Sequence, residues 1–496
     1  MPDLLVRRAR LVPLDPPSGP EVGPEVGPEV GPGTVDVLVR DGVVAAVGPG
    51  LADAGVPEVD ADGRWLVPGL WDAHVHLGQW ALASRRLDLS AARSPEEALA
   101  AVGAAVAADA RRGRPVVGMG HRAGTWSRAV TVAELDAVSG GVPVVLVNGD
   151  FHHGWLNTAA LDALGLARRQ EVVSEREWFD AYPRLTAITG GPTAEDYRRV
   201  MTRASSRGVV GVVDFEFGAP LGDWVERWTD GCDVLRVRWA PYADTLDSAL
   251  AAGLRTGAEL APGLSVGPLK IISDGSLGTR TAWCCEPYAD TGGHGAPNQS
   301  ADELRALVAR GHEAGFSVAT HAIGDRALME ALSVYATTGA SGSIEHAQLV
   351  TADAVGELAR LGLTASVQPA HLLDDRETSD RVWPGRGGRS FALRWLRDAG
   401  VTLALGSDAP VAPLDPWLAI AAAVHRGEPG EEPWHPEQAL TTAEALGASV
   451  DGRRVRAGEP GDLVLLDTDP LSASPAALRD VAASLTVVGG RVVWAG

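Results

Sequence analysis

Lysine is almost absent from this sequence: of its 43 basic side chains, Lys270 is the single lysine and all the others are arginine. Arginine stays protonated in proteins, whereas a buried lysine amine can lose its proton. A chain that uses arginine wherever charge alone is needed is expected to keep a lysine for chemistry that arginine cannot do. Chance survival of Lys270 is the alternative that composition leaves open.

Cysteine is also scarce, with Cys232, Cys284 and Cys285 the only three in 496 residues. Two of them are adjacent, where a disulfide is strained, and their spacing matches no cysteine metal site. We therefore expect a reducing, cytoplasmic compartment. Apolar runs of the roughly 20 residues that span a bilayer are missing, and the first residues lack the pattern of a signal peptide.

Positive charge is in deficit, since 64 acidic side chains face 43 basic ones and the net charge is −21. A surface of this sign repels nucleic acid and anionic lipid, so neither nucleic acid nor a membrane is expected as a partner. The hydrophobic share of 45% permits a sizeable core. The length exceeds the roughly 250 residues of a single barrel, so further domains are expected.

Strand-like segments occur at both ends of the chain and predict one small β-sandwich domain built from residues 1–64 and 445–496. Within it, the Gly-Pro-Glu-Val repeat from Gly19 to Gly33 predicts a mobile loop. Residues 65–444 alternate apolar runs with helical stretches, the pattern of a parallel sheet with crossover helices. The predicted fold class is therefore α/β, a (β/α)8 TIM barrel, with an inserted subdomain at 80–205, after the first barrel strand. The eight inner strands are predicted at 67–74, 209–216, 234–241, 266–274, 316–321, 342–346, 364–368 and 402–408.

Five of the predicted strands lead into polar side chains that can bind a metal ion. The carboxyl ends of all barrel strands meet at one face, where catalytic groups lie. In His74-Val-His76 both imidazoles point to the same side, because strand side chains alternate with period two. A lone histidine is more often structural, but a ligand type at five successive strand ends predicts a metal site. The predicted ligands are His74, His76, Lys270, His321, His346 and Asp408.

The segments around these ligands resemble the amidohydrolase superfamily, most closely its family 3 branch, which includes N-substituted formamide deformylase. The resemblance covers nearly the whole chain, including the split β domain and the long insertion. It is carried by Asp72-Ala-His-Val-His, Lys270-Ile-Ile-Ser-Asp-Gly-Ser-Leu-Gly, Thr320-His-Ala-Ile-Gly-Asp-Arg, Ile344-Glu-His-Ala and Gly406-Ser-Asp-Ala-Pro.

The resemblance implies one or two divalent metal ions. Zinc is expected first, but imidazole and carboxylate ligands also suit manganese, iron or cobalt. His74 and His76 would bind one ion with Asp408, and His321 and His346 would bind the second. Lys270 would carry CO2 as a carbamate that bridges the two ions. Two alternatives stay open: Lys270 could pair with a buried carboxylate such as Asp274, and Glu216 could be the bridging ligand instead.

The implied activity is hydrolysis of a carbon–nitrogen amide bond, other than a peptide bond, in a small molecule. The metal lowers the pKa of its water, and Asp408 moves the proton to the leaving amine; Asp408 and Lys270 are the predicted catalytic residues. Predicted substrate contacts, each with a core or loop role as the alternative, are His152, Trp155, Trp126, Arg280 and His371. Phe151 stands where the family's Asp-Gly-His-x-x-Trp segment has glycine, so the local pocket shape is in doubt.

Three other functions compete with amide hydrolysis on the same fold. A deaminase of a cyclic amidine would use one ion and usually lacks the bridging lysine, so Lys270 argues against it. A lactonase or other ester hydrolase would need the same site. A scaffold without catalysis would be expected to lose ligands, but all the expected positions are filled. A homodimer, the commonest assembly, is left open.

Overall fold

The computed structural model describes residues 2–14, 33–52, 55–108, 113–121, 123, 126–148, 153–218 and 220–496. The predicted loop up to residue 32 and the predicted substrate contact His152 lie outside the described residues. The chain divides into two compact units, here called the barrel unit, Met1–Trp80 with Tyr197–Gly496, and the inserted unit, Ala81–Asp196. The inserted unit falls within the insertion predicted at 80–205.

One sheet of the barrel unit combines strands from both ends of the chain. Its strands are β1 (Leu4–Leu11), β2 (Val35–Arg40), β3 (Val43–Gly48), β4 (Glu58–Asp60), β5 (Trp65–Pro68), β21 (Leu463–Leu466), β22 (Ala483–Val488) and β23 (Arg491–Ala495). They lie in the order β23-β22-β21-β5-β1-β2-β3, with β4 beside β1. Antiparallel pairing of Leu66 with Leu465 joins the two ends, and both side chains are buried in one apolar cluster. That this domain is a sandwich stays a prediction.

Parallel strands form the barrel itself. They are β6 (Leu70–Val75), β12 (Val209–Asp214), β13 (Arg236–Trp239), β15 (Leu264–Val266), β16 (Leu269–Ile272), β17 (Val318–Ala322), β18 (Gly342–His346), β19 (Thr364–Val367) and β20 (Thr402–Leu405). β6, β12, β13 and β15 pair in one run and β16 to β20 in another, while the short β14 (Glu259–Ala261) pairs antiparallel with β15. A parallel bridge between Val75 and Ala409 connects the two runs beside β6. The fold is therefore TIM-barrel-like α/β.

The first predicted barrel strand, 67–74, is divided between two sheets. Trp65–Pro68 pairs in the terminal sheet, and Leu70–Val75 pairs in the barrel. Gly69 lies between them, and a Cβ there would come 2.3 Å from Cγ2 of Val210. Only glycine fits this crossing point, which sets where the chain enters the barrel.

Helices follow the barrel strands and return the chain to the opposite end, so the strands run parallel. The helices outside the inserted sheet are α1 (Leu77–Ala83), α7 (Ala194–Ser205), α8 (Leu221–Thr229), α9 (Ala243–Ala251), α10 (Ala301–Glu313), α11 (Asp325–Thr338), α12 (Ala352–Leu361), α13 (Leu372–Val382), α14 (Leu393–Asp398), α15 (Pro416–His425), α16 (Thr442–Gly447) and α17 (Pro475–Asp480). Side-chain caps fix the starts of some of these helices: in α10 the Ser300 hydroxyl accepts a hydrogen bond from the Glu303 amide.

The inserted unit has its own sheet, in the order β11-β10-β9-β8-β7. Its elements are β7 (Leu87–Asp88), α2 (Pro95–Ala108), β8 (Val116–His121), α3 (Val132–Ser139), β9 (Val144–Asn148), β10 (His153–Leu156), α4 (Thr158–Ala163), β11 (Val173–Ser174), α5 (Glu175–Ala181) and α6 (Leu185–Thr189). Over the described part of the chain, every helix is too short or too polar to cross a bilayer.

Candidate active site

The six predicted ligands lie in or just beyond the barrel strands; five are at or near carboxyl ends, and Lys270 is the second residue of β16. His74 is the next-to-last residue of β6, Lys270 is in β16, and His321 and His346 are in β17 and β18. Asp408 follows β20, and its amide donates to the carbonyl of His74 over 2.7 Å, which joins the first and last strand ends. Parallel pairing thus brings together residues that are hundreds of positions apart.

The centre of the site is formed by three buried side chains. Ligand atoms of His74, His346 and Asp408 all lie within 4.8 Å of one another. Oδ1 of Asp408 is 3.7 Å from Nε2 of His74 and 3.3 Å from Nε2 of His76. Imidazole nitrogens and a carboxylate oxygen so close together suit a divalent ion such as zinc. The described donors therefore fit a metal, and the cluster indicates a divalent metal site.

His321 adds a further imidazole beside this centre. Its ring lies edge-on to that of His346, with 4.6 Å between the centroids. Nδ1 of His321 is 3.0 Å from Oδ1 of Asp274. The Asp274 carboxylate also accepts hydrogen bonds from the backbone amides of Trp283, Ile323 and Gly324. Asp274 thus holds the loop after β17 by hydrogen bonds and lies against Nδ1 of His321, so Nε2 of His321 is the nitrogen left to face a ligand.

Lys270 is buried beside His74, and no described residue is its acidic partner. Its Nζ lies 3.4 Å from Nε2 of His74 and 4.3 Å from the ring centroid of Phe215. Among the described residues, no carboxylate forms an ion pair with it, so the alternative partner Asp274 is not in contact with it. Burial lowers the pKa of Lys270 to about 8, although the charges of Glu345 and Asp408 act to raise it.

Glu216, the rival bridging ligand, is engaged elsewhere. Its Oε2 accepts from the Gln79 amide over 2.8 Å, and its Oε1 accepts from the Phe217 amide over 3.2 Å. These bonds tie the end of β12 to the first turn of α1. Its carboxylate is therefore used for local structure in the described site.

Glu345 is a site residue that the sequence interpretation missed. Its Oε2 lies 2.6 Å from Nδ1 of His74, and both side chains are buried. A proton held on Nδ1 leaves the lone pair of Nε2 directed at Asp408 and Lys270. Burial raises the pKa of Glu345, against the opposing charge of Lys270. The available signal was its place directly before His346 on a buried strand, where an acid needs a partner.

The backbone at two of the predicted ligands is in the left-handed region. φ is 71° at His346 and 56° at Asp408, which is uncommon for residues other than glycine. Such conformations cluster at functional sites, because they redirect side chains where regular strands end.

Burial holds the pKa of His74 and His346 well below the usual histidine value. Burial would raise the pKa of Asp408, but the hydrogen bond from His76 and nearby imidazoles bring it well below its usual range.

The predicted substrate contacts separate into different places. His371 reaches the cluster, with Nε2 3.9 Å from Oδ2 of Asp408 and its ring stacked at 6.1 Å from that of His346. Arg280 pairs with Asp290 over 2.9 Å and donates to carbonyls of its own loop. Trp126 and Trp155 are buried in the core of the inserted unit. Contact of these residues with substrate stays a prediction.

Residues 57–494 match the family model described as Amidohydrolase family. The chain belongs to the amidohydrolase family. This amidohydrolase is 28% identical over 520 residues to Protein LONG AFTER FAR-RED 3 of Arabidopsis thaliana, covering 92% of this chain and 88% of that protein. It is 26% identical over 534 residues to N-substituted formamide deformylase of Arthrobacter pascens, covering 92% and 94% respectively.

A solved structure agrees with these likenesses. The amidohydrolase matches an uncharacterized metal-dependent hydrolase from Pyrococcus horikoshii with a TM-score of 0.77 and 25% identity, over 95% of this chain and 99% of that one. Together the comparisons confirm the predicted family and make the chain a hydrolase acting on carbon–nitrogen bonds.

Proposed function

We propose that this amidohydrolase cleaves the amide bond of a small molecule with one or two divalent ions, preferably zinc. The observation that carries the proposal is the buried meeting of His74, His346 and Asp408, whose ligand atoms lie within 4.8 Å of one another. His76 faces the same Asp408 oxygen at 3.3 Å. A buried cluster of imidazoles and a carboxylate costs stability, which a metal ion offsets when it binds.

The ligands divide into two groups in this proposal. His74, His76 and Asp408 would hold one ion, and His321 and His346 the other. Lys270 lies next to His74 and has no ion-pair partner among the described residues, which supports its role as the bridge. Its neutral amine would attack CO2, forming an N–C bond and releasing a proton, and the two carbamate oxygens would face the two groups.

Each protein group has a separate task. A divalent ion supplies Lewis-acid polarisation of a carbonyl and makes water more acidic. Asp408 stays ionised, accepts the proton as water adds to the carbonyl carbon, and returns it to the leaving amine nitrogen. Glu345 holds the tautomer and orientation of His74. His371, beside Asp408, would hold a polar group of the substrate. The products are a carboxylate and an amine.

The proposal is tested by metal analysis together with a panel of N-formyl and N-acyl amines. We expect one to two divalent ions per chain and hydrolysis of at least one amide class. Asp408→Asn should keep the fold and lower kcat at least about 100-fold, the loss typical of removing a catalytic proton carrier. Asp302→Asn is the matched control, because that carboxylate is 92% exposed on α10.

Three outcomes would count against parts or all of the proposal. Near-normal turnover by Asp408→Asn would refute the assigned base. A single ion per chain, with ammonia released from cyclic amidines but no amide cleaved, would favour the deaminase; cleavage of lactones or esters alone would favour an ester hydrolase.

The proposed setting is the reducing cytoplasm. None of the three cysteines, all of which the structure describes, is in a disulfide; Cys232 and Cys284 are buried and Cys285 is exposed. An exposed thiol beside a second cysteine is better tolerated where thiols are kept reduced, which supports this compartment. A homodimer remains part of the proposal, and its size is measurable by light scattering.

A further inference from the structure

The chain beyond strand β12 places two phenylalanines beside the metal ligands. In Asp214-Phe-Glu-Phe the alternation of side chains sends Phe215 and Phe217 to the site and Glu216 to helix α1. The Phe215 ring lies 4.6 Å from that of His74. The Phe217 ring stacks on that of His76, with 4.8 Å between centroids and 15° between planes.

These two rings differ in exposure. Phe215 is 1% exposed and belongs to the core, whereas Phe217 is 50% exposed. Besides His76, Phe217 contacts the Tyr242 ring at 5.3 Å. A large apolar ring left half open beside a catalytic cluster is unfavourable in water, and such surfaces mark binding sites.

The exposed ring is held in place by the protein. The Phe217 amide donates to Glu216, whose other oxygen accepts from the Gln79 amide over 2.8 Å. A Cβ at Gly78 would come 2.8 Å from that same oxygen, so glycine is needed for this contact. Glu216 therefore fixes the segment that carries Phe217 against α1.

A second exposed apolar side chain lies in the segment after β20, which pairs with the other side of Val75. Val75 is in register with Asp214 on one side and with Ala409 on the other. Val411 follows two residues after Ala409 and is 65% exposed. Its amide donates to the Asp408 carbonyl over 2.8 Å, which keeps it close to the cluster.

We infer that Phe217 and Val411 form an apolar subsite that binds an aromatic or branched aliphatic substituent of the amide substrate. The inference rests on the proposed amide hydrolysis and adds a substrate class to it. Contact with the phenyl and isopropyl side chains would remove water from a charged or strongly polar substituent, which costs free energy. An apolar substituent gains free energy by the same burial. A pocket of this kind discriminates between substrates by roughly 10–200-fold.

The test compares two amides that differ in one substituent, N-acetyl-phenylethylamine and N-acetyl-ethanolamine. The wild type should favour the phenylethyl amide in kcat/KM. Phe217→Ser should reduce this ratio about tenfold, and Val411→Ser should reduce it less. Trp395→Ser is the control, because Trp395 is also an exposed aromatic, on helix α14, which enters β20 at the end opposite Asp408.

The selectivity ratio separates a subsite from a merely structural role. If Phe217 only supported His76, the variant would lose metal and both amides would slow equally, leaving the ratio unchanged; that result overturns the inference. Calorimetric titration of metal-free protein with both amides gives a readout that does not need turnover. Absence of hydrolysis by the wild type would count against the proposed function, whereas equal dissociation constants for the two amides would overturn the subsite.

Discussion

Lys270 and Arg426 are both buried cations of the barrel unit, but the protein treats them in opposite ways. Arg426, at the end of α15, donates to the carbonyls of Trp434 over 2.8 Å and Phe391 over 2.9 Å, and also to that of Ser390. Lys270 has Nε2 of His74 at 3.4 Å and an aromatic face. Burial lowers the pKa of both, to about 10 for Arg426 and to about 8 for Lys270.

In the proposed mechanism, this difference separates a structural cation, Arg426, from a reactive one, Lys270. Carbonyl oxygens satisfy the Arg426 guanidinium, so its burial stabilises the loops around it. Lys270 is left with a desolvated amine that is partly neutral near pH 7, which is the state a nucleophilic amine requires. The desolvated Lys270 amine thus lowers the stability of the fold at a position where the proposed chemistry needs a free electron pair.

Replacing Lys270 should have the largest effect. Lys270→Arg replaces the amine by a guanidinium that cannot become neutral, so kcat/KM should fall at least about 1,000-fold, equivalent to about 4 kcal/mol. Lys270→Ala should be as inactive but partly rescued by a short carboxylic acid such as propionate. Kinetics with and without propionate measure this rescue. Wild-type activity in Lys270→Arg would show that the site does not need a neutral amine at this position, so that Lys270, like Arg426, would be a structural cation.

Arg426→Met should show the opposite profile. Three carbonyl groups lose the Arg426 donor, so the free energy of unfolding should fall by about 3 kcal/mol. The specific activity of the folded protein should stay unchanged. Urea unfolding and kinetics report the two quantities, with Arg381→Met at an exposed position as the control. A loss of activity without a loss of stability would show that Arg426 belongs to the site.

Glu345→Gln should weaken the metal site. Without the carboxylate, Nδ1 of His74 loses a charged acceptor, and metal affinity should fall about 10–100-fold. Competition with a chelator measures this, and Glu313→Gln on the surface is the matched control. Unchanged metal affinity would mean that the 2.6 Å contact only gives the buried Glu345 carboxylate a hydrogen-bond partner and does not position His74.

Glu444 offers the smallest effect, in a purely structural ion pair. Hydrogen bonds from Arg394 lower the pKa of Glu444 to about 2, from an ordinary 4.5. Its stabilisation is therefore present above about pH 4.5 and lost as the pH falls towards 2. Glu444→Gln should lower the free energy of unfolding by about 1 kcal/mol at pH 7. Denaturation at pH 7 and pH 3 should show this difference shrinking; a difference independent of pH would point to packing.

Much of the site could be predicted from the sequence, because the rules behind it are local. Apolar runs that end in ligand residues predict strand ends, and the fold brings such ends to one rim. The period of two in a strand predicts that His74 and His76 face the same way, and both do face Asp408. The solitary Lys270 was conspicuous by composition alone, and it lies beside His74.

Only the tertiary structure decided the partners of these residues. Glu345 contacts His74 across 271 positions, and Asp274 contacts His321, since strand register aligns segments that share no local signal. Glu216 faces α1, while Phe217, unremarkable in the sequence, stacks on His76. The physical reason is that hydrophobic periodicity determines which face of a strand is buried, whereas packing between distant strands determines which atoms meet there.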